Sequence, residues 1–195
     1  MLPILITERL VLRPFLPANA DCVQQLAGDI RVAEPTGSIP HPYPAGAAET
    51  WISGLEQLFE EGKAITLAIT CKSTGELLGA ASLHSLSQQH ARACLGYWLG
   101  HDYWGRGICP EAVAALIHHA HEQLGTTRIV GECLSRNRAS ARVLEKLGLT
   151  LEARLRQHVF HRGKFEDYDV YGLNLPGPES SGLAEPLMHQ PGETG

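Results

Sequence analysis

The chain has 195 residues, a formal net charge of −5 and a hydrophobic content of 44%, which fits one domain large enough to bury a core. The negative balance gives no electrostatic support for a nucleic-acid partner, and no run approaches the roughly 18 apolar residues that span a bilayer. The N-terminal stretch MLPILITERLVLRPF is interrupted by Glu8, Arg9 and Arg13 and lacks a signal-peptide pattern. Five cysteines (Cys22, Cys71, Cys94, Cys109, Cys133) are spread singly, with no CxxC. Reduced thiols in a cytoplasmic protein account for them. His118, His119 and His121 read as a solvated or half-buried helix face, and no metal is expected.

In chain order, residues 6–15 read as an opening strand with Leu10, Leu12 and Pro14 on one face. Asn19 or Asp21 can cap a short helix carrying Val23 and Leu26. Ala33–Gly46 (AEPTGSIPHPYPAG) holds four prolines that exclude regular structure; a binding loop and a plain connector both fit it. A helix over Ala47–Glu61 turns Trp51, Ile52, Leu55, Leu58 and Phe59 toward a core. Ala64–Thr70 and Leu77–Leu86 pair as a hairpin around Lys72–Gly75, and Ser87–His90 turns into a central strand over Arg92–Leu99.

After that strand, Gly105 and Gly107 flank Arg106, and the spacing predicts a helix from Pro110 to about Leu124, closed by Gly125. Two residues without Cβ free the backbone to close around a ligand, and a helix N-terminus favours an anion there. An ordinary strand-to-helix turn has the same appearance. Arg128–Leu134 reads as a buried strand and Asn137–Leu147 as a helix with Ala141, Leu144 and Leu147 inward. Leu149–Arg162 and Phe165–Leu175 make a last pair of strands. This order predicts an α/β domain over residues 1–175, a mixed sheet with helices on both faces. Residues 176–195, with four prolines and four glycines, read as a mobile tail.

Five separated pieces carry a resemblance: TERLVLRP (7–14), GYWL (96–99), WGRGICPEA (104–112), NRASARVLEKLGL (137–149) and RGKFEDYDVYGL (162–173). In this order and spacing the chain resembles the GNAT superfamily of acetyl-CoA-dependent N-acetyltransferases, in the branch of the ribosomal-protein N-terminal acetyltransferases RimJ and RimL. The resemblance implies a GNAT-like fold, its mostly antiparallel sheet splayed between strands 92–99 and 128–134. It implies that the turn Gly105, Arg106, Gly107, Ile108 and Cys109 holds the coenzyme A pyrophosphate through backbone amides. The backbone of Tyr97, Trp98 and Leu99 would bond the pantetheine arm, and Asn137 would lie against the cofactor. Ser140 is then the candidate acid toward the departing thiolate, with Asn137 orienting its helix. A phosphate contact and a solvated side chain are both open for Arg106.

The chain departs from the family pattern at Cys109, where Gly or Ala is usual, and at Pro110, where Thr or Ser is common. Cys94 stands where many members carry a glutamate base, and Leu144 where many carry a tyrosine acid. His84, Glu132 and Asp169 are the remaining candidate bases or water-holders. The cosubstrate implied is acetyl-CoA and the acceptor a primary amine. At pH 7 about one α-amine in ten is neutral, against about one lysine in 2,500. A chain without the usual glutamate therefore fits a protein N-terminus best, with the loop Thr36–Gly46 lining the acceptor cleft. Acetylation of a small amine (a polyamine, an amino acid or an antibiotic) is the alternative, and a coenzyme A-binding regulator without turnover is a third reading. Monomer and homodimer are both open.

Overall fold

The computed structural model describes residues 1–177; most of the expected tail, positions 178–195, lies outside the described residues. In chain order the elements are β1 (Leu5–Ile6), β2 (Leu10–Arg13), α1 (Ala20–Ala27), α2 (Ile30–Ala33) and α3 (Ala47–Glu60). The hairpin β3 (Ala64–Cys71) and β4 (Leu77–Ser87) leads into β5 (Arg92–Leu99), α4 (Ile108–Leu124), β6 (Arg128–Leu134) and α5 (Arg138–Lys146). The last pair is β7 (Thr150–His161) and β8 (Lys164–Asn174). All eight strands form one sheet in the order β1-β2-β3-β4-β5-β6-β8-β7.

Every pairing in the described sheet is antiparallel except β5 with β6. That exception follows from the connection: α4 carries the chain from one end of the sheet back to the other, as a parallel pair requires. Alternation along β3 shows how the layers are built, because successive side chains point to opposite faces. Leu67 and Ile69 join Ala112, Val113 and Leu116 of α4 in one core, with Ala141 and Leu144 of α5. Ala68 faces the other way and packs with Val23 of α1 and Ile52 and Leu55 of α3. Helices therefore cover both faces, as expected. Leu116 and Leu144 are at most 1% exposed, and truncating either to Ala is the kind of change that costs about 2–5 kcal/mol.

Local chemistry moves several boundaries from the predicted ones. The opening strand is two short strands, because the Thr7 hydroxyl accepts the Leu10 N–H (3.0 Å) and the Thr7 N–H donates to the Leu10 carbonyl (3.0 Å), turning the chain between them. Asn19 does precede α1, but its side chain accepts from the Leu16 N–H and from Arg13 rather than capping the helix. The unforeseen α2 is capped by Asp29, whose carboxylate accepts the Arg31 N–H at 2.8 Å. α4 starts at Ile108, so Pro110 is its third residue and not its first. A proline is still tolerated there, since first-turn N–H groups have no partner inside the helix.

Candidate active site

β5 and β6 pair over four residues, from Arg92 opposite Arg128 to Leu95 opposite Gly131, and no further. Past Leu95, β5 stays paired with β4 through Leu99, while β6 stays paired with β8 through Leu134. The strands therefore part, and the edges of Gly96–Leu99 and Glu132–Leu134 that face one another are free of sheet bonds. A cleft of about 880 Å³ runs through this opening. Its walls include Tyr97, Trp98 and Leu99 on one side, Asn137 and Ser140 on the other, and Gly105, Gly107, Ile108 and Cys109 at its end.

Gly105 and Gly107 both adopt φ +74°, a left-handed conformation that side-chain-bearing residues rarely take. Their turn delivers the chain into α4 with no side chain capping the helix, which leaves first-turn donors and the positive dipole end facing the cleft. Pro110 removes one donor, and the Cys109 side chain is buried and packs with the core cluster. Burial pushes the Cys109 thiol up to about 12. Arg106 does not line the cleft: its guanidinium lies over the Tyr103 ring at 5.9 Å.

A clamp that sequence reasoning missed braces this turn. Arg9 donates Nη1 to the Arg106 carbonyl (3.0 Å) and Nε to Glu111 (2.7 Å), while the Thr7 hydroxyl reaches Glu111 Oε1 (2.6 Å). Burial raises the Glu111 carboxyl, but bonds from Thr7 and Arg9 outweigh it and hold it below the usual range. The clamp explains why TERL near the N-terminus and GRGICPE near the middle occur together: one holds the other in shape.

On the α4/α5 face, the Tyr97 hydroxyl lies 2.8 Å from Ser140 Oγ and 3.3 Å from the Ser140 carbonyl oxygen. Burial drives the Tyr97 hydroxyl far above its ordinary value, so it stays protonated and able to donate. Asn137 caps α5 by accepting the Ser140 N–H at 3.0 Å, and its amide donates to the Pro35 carbonyl at 3.0 Å. It ties the helix to the proline loop. Cys133, next to Ser140, is pushed up to about 11, chiefly by burial. Arg142 and Lys146, one turn apart on α5, also line the cleft and add positive charge that the sequence reading did not single out.

On the α1/α3 face the cleft is walled by Ser82, His84, Glu132 and Tyr168, with Thr36, Ile39 and Tyr43 of the loop. That loop is held by Arg136, which pairs with Glu34 (2.7 Å) and Glu166 (3.0 Å), and by His161, whose Nε2 lies 2.9 Å from the Glu34 carbonyl. The candidate bases separate clearly. His84 and Glu132 reach the cleft, whereas Asp169 does not. Asp169 is 1% exposed and held by Arg154 (2.7 and 2.8 Å) and by Ser135, and these bonds lower its carboxyl. Cys94 is half-buried outside the cleft wall, its thiol raised by burial first and by the Glu132 charge second. It remains a neutral thiol.

Among the described residues, no group of three or more His, Cys, Asp or Glu side chains could hold a metal, and no helix is long and apolar enough to cross a membrane. What the cleft offers is an anion-binding helix start, an unpaired strand edge and hydroxyl donors, a set that fits a long phosphate-bearing thioester.

Comparison with known proteins agrees with this geometry. The family model described as acetyltransferase (GNAT) domain matches residues 9–150. The uncharacterized N-acetyltransferase YoaA of Bacillus subtilis is 30% identical over 176 residues, covering 90% of this chain and 99% of its own. The ribosomal protein uS5-alanine N-acetyltransferase of Escherichia coli is 24% identical over 177 residues, 88% of this chain and 91% of its own. Among solved structures, RimL, the ribosomal L7/L12 alpha-N-protein acetyltransferase in complex with coenzyme A, superposes with a TM-score of 0.79 at 24% identity, over 89% of this chain and 98% of its own. With its splayed β5–β6 pair and glycine turn, this chain belongs to the GNAT acetyltransferase family and is an acetyl-CoA-dependent N-acetyltransferase.

Proposed function

We propose that the acceptor is the α-amine at the N-terminus of a protein or peptide, and that the transfer takes place in the cytoplasm. The observation that carries this reading is the two-sided cleft. One face of the parted strands presents Ser140 and Tyr97, and the other opens beneath the loop that begins at Pro35. A cosubstrate can enter along one face while a chain end approaches from the other. The uS5-alanine N-acetyltransferase is named for such an acceptor, and five free thiols suit a reducing compartment.

In this reading the amides of the Gly105–Cys109 turn hold the pyrophosphate, with Arg142 and Lys146 adding attraction for the nucleotide phosphates. The free edge of Gly96–Leu99 bonds the pantetheine amides and so aligns the thioester with the end of the β5–β6 pairing. Tyr97 donates to Ser140, which leaves the serine proton free for the departing sulfur. Asn137 holds the first turn of α5 so that Ser140 keeps this position. Among the described residues, Glu132 is the single acidic one on the cleft wall, enough to attract one ammonium group but poorly matched to a polyamine.

Competition between a free-N-terminal peptide and its N-blocked, lysine-bearing counterpart tests the acceptor, with spermidine as a small-amine control. Mass spectrometry should find the α-amine acetylated first. Preferential labelling of lysine or spermidine would contradict the proposal.

A further inference from the structure

Cys94 leaves the reaction without a carboxylate at the usual place, and a protonated thiol cannot replace it. The geometry points to His84 as the group that takes the acceptor's proton. His84 pairs with Cys94 across the β4–β5 register, one pair beyond Leu83 and Leu95, so its side chain shares the face of Gly96. A β-carbon on Gly96 would stand 2.6 Å from Ser82 Oγ, 3.5 Å from His84 Cδ2 and 3.7 Å from His84 Nε2. The imidazole therefore lies over Gly96, the first β5 residue past the last pair with β6. The ring is at ordinary contact distance from that position, whereas the Ser82 hydroxyl is what a side chain there would strike.

The backbone is bent to bring the ring there. The β4–β5 register shifts between His84 and Ser87, and Ser85 takes φ +50°; irregularities of this kind re-aim side chains beside active sites. Nδ1 lies 3.3 Å from Ser85 Oγ. In the tautomer that donates from Nδ1, the lone pair sits on Nε2, the atom nearer Gly96. Across the sheet His84 stands opposite Cys94 of β5 and Ala64 of β3, and Ser82, Thr66, Tyr43, Glu132 and Tyr168 line the same cleft.

Side-chain alternation puts Tyr97 and Ser140 on the opposite face from His84 and Gly96. A thioester carbon held between the parted strands then has an acid on one face and a base on the other. The acceptor, arriving as an ammonium, gives one proton to His84 Nε2, and the freed nitrogen lone pair forms the C–N bond. The C–S bond breaks and sulfur leaves with its electron pair toward Ser140. Nitrogen sheds its second proton as the adduct collapses, which balances the proton the sulfur takes up. His84 returns its proton to solvent.

The inference rests on the reading that the thioester lies between β5 and β6, so coenzyme A affinity is measured beside turnover. His84→Gln should lower kcat/KM for a peptide amine about 100-fold or more and remove the acid limb of its pH profile. Coenzyme A affinity by calorimetry should stay within about twofold. In His84→Gly, added imidazole should restore part of the rate, which a purely structural role would not allow. Retention of the acid limb with a rate within about threefold of the parent overturns the assignment, as does loss of that limb in Glu132→Gln instead. A parent that fails to bind coenzyme A overturns both readings, whereas intact binding with an unaffected His84→Gln sinks this one alone.

Discussion

Ser140 meets Tyr97 through two contacts, at 2.8 and 3.3 Å, and these set what its loss should do. Ser140→Ala removes the proposed donor to sulfur but keeps the α5 cap, because Asn137 accepts the Ser140 backbone N–H and not its hydroxyl. The variant should fold, bind coenzyme A within about twofold of the parent and lose about 100-fold in kcat. A kcat within about twofold would assign the serine to structure alone. The candidacy of Ser140 was legible by resemblance. The Tyr97 hydroxyl was not, since its partner lies 43 residues away and the expectation concerned only its backbone. Arg106 shows the reverse: its place in the turn was legible, but its side chain stacks on Tyr103, a choice made by tertiary packing.

The Arg9–Glu111 clamp joins β2 to the first turn of α4 and determines how firmly the glycine turn keeps its shape. Arg9 is about half-exposed, so its ion pair contributes little to global stability. Arg9→Ala should raise the KM for acetyl-CoA about three- to tenfold, the size of one ordinary hydrogen bond. It should leave kcat and the acceptor KM close to the parent and lower Tm by no more than about 2–4 °C. Initial-rate kinetics with each substrate varied checks this split; an unchanged acetyl-CoA KM would remove the clamp's role. Elements with uniform apolar character were legible to the residue: Arg92–Leu99 and Arg128–Leu134 stand as predicted. The start of α4 was not, because proline suits any first-turn position and so marks that turn without fixing its register. Thr7 hides its turn in the same way, inside a pattern that alternates well enough to read as one strand.

At the scale of the whole molecule, the sheet is two paired blocks, β1–β5 and β6–β8, that meet along only four residue pairs. The splay between strands 92–99 and 128–134 was legible only through the resemblance, since periodicity marks strands and not where their pairing stops. The anchoring of Glu34 and Pro35, at the entry to the loop over Thr36–Gly46, was illegible, because their partners Arg136, Asn137 and His161 lie 102 to 127 residues away. The central claim is that acetyl-CoA occupies the opening by bonding the free edge of β5 and the turn before α4. Amide hydrogen exchange with and without coenzyme A reads those backbone groups in the unmodified protein. Slowed exchange across Gly96–Leu99 and Gly105–Cys109, with none at the β7–β8 hairpin tip, is the result the account predicts. Unchanged exchange at both segments in the presence of saturating coenzyme A would contradict it.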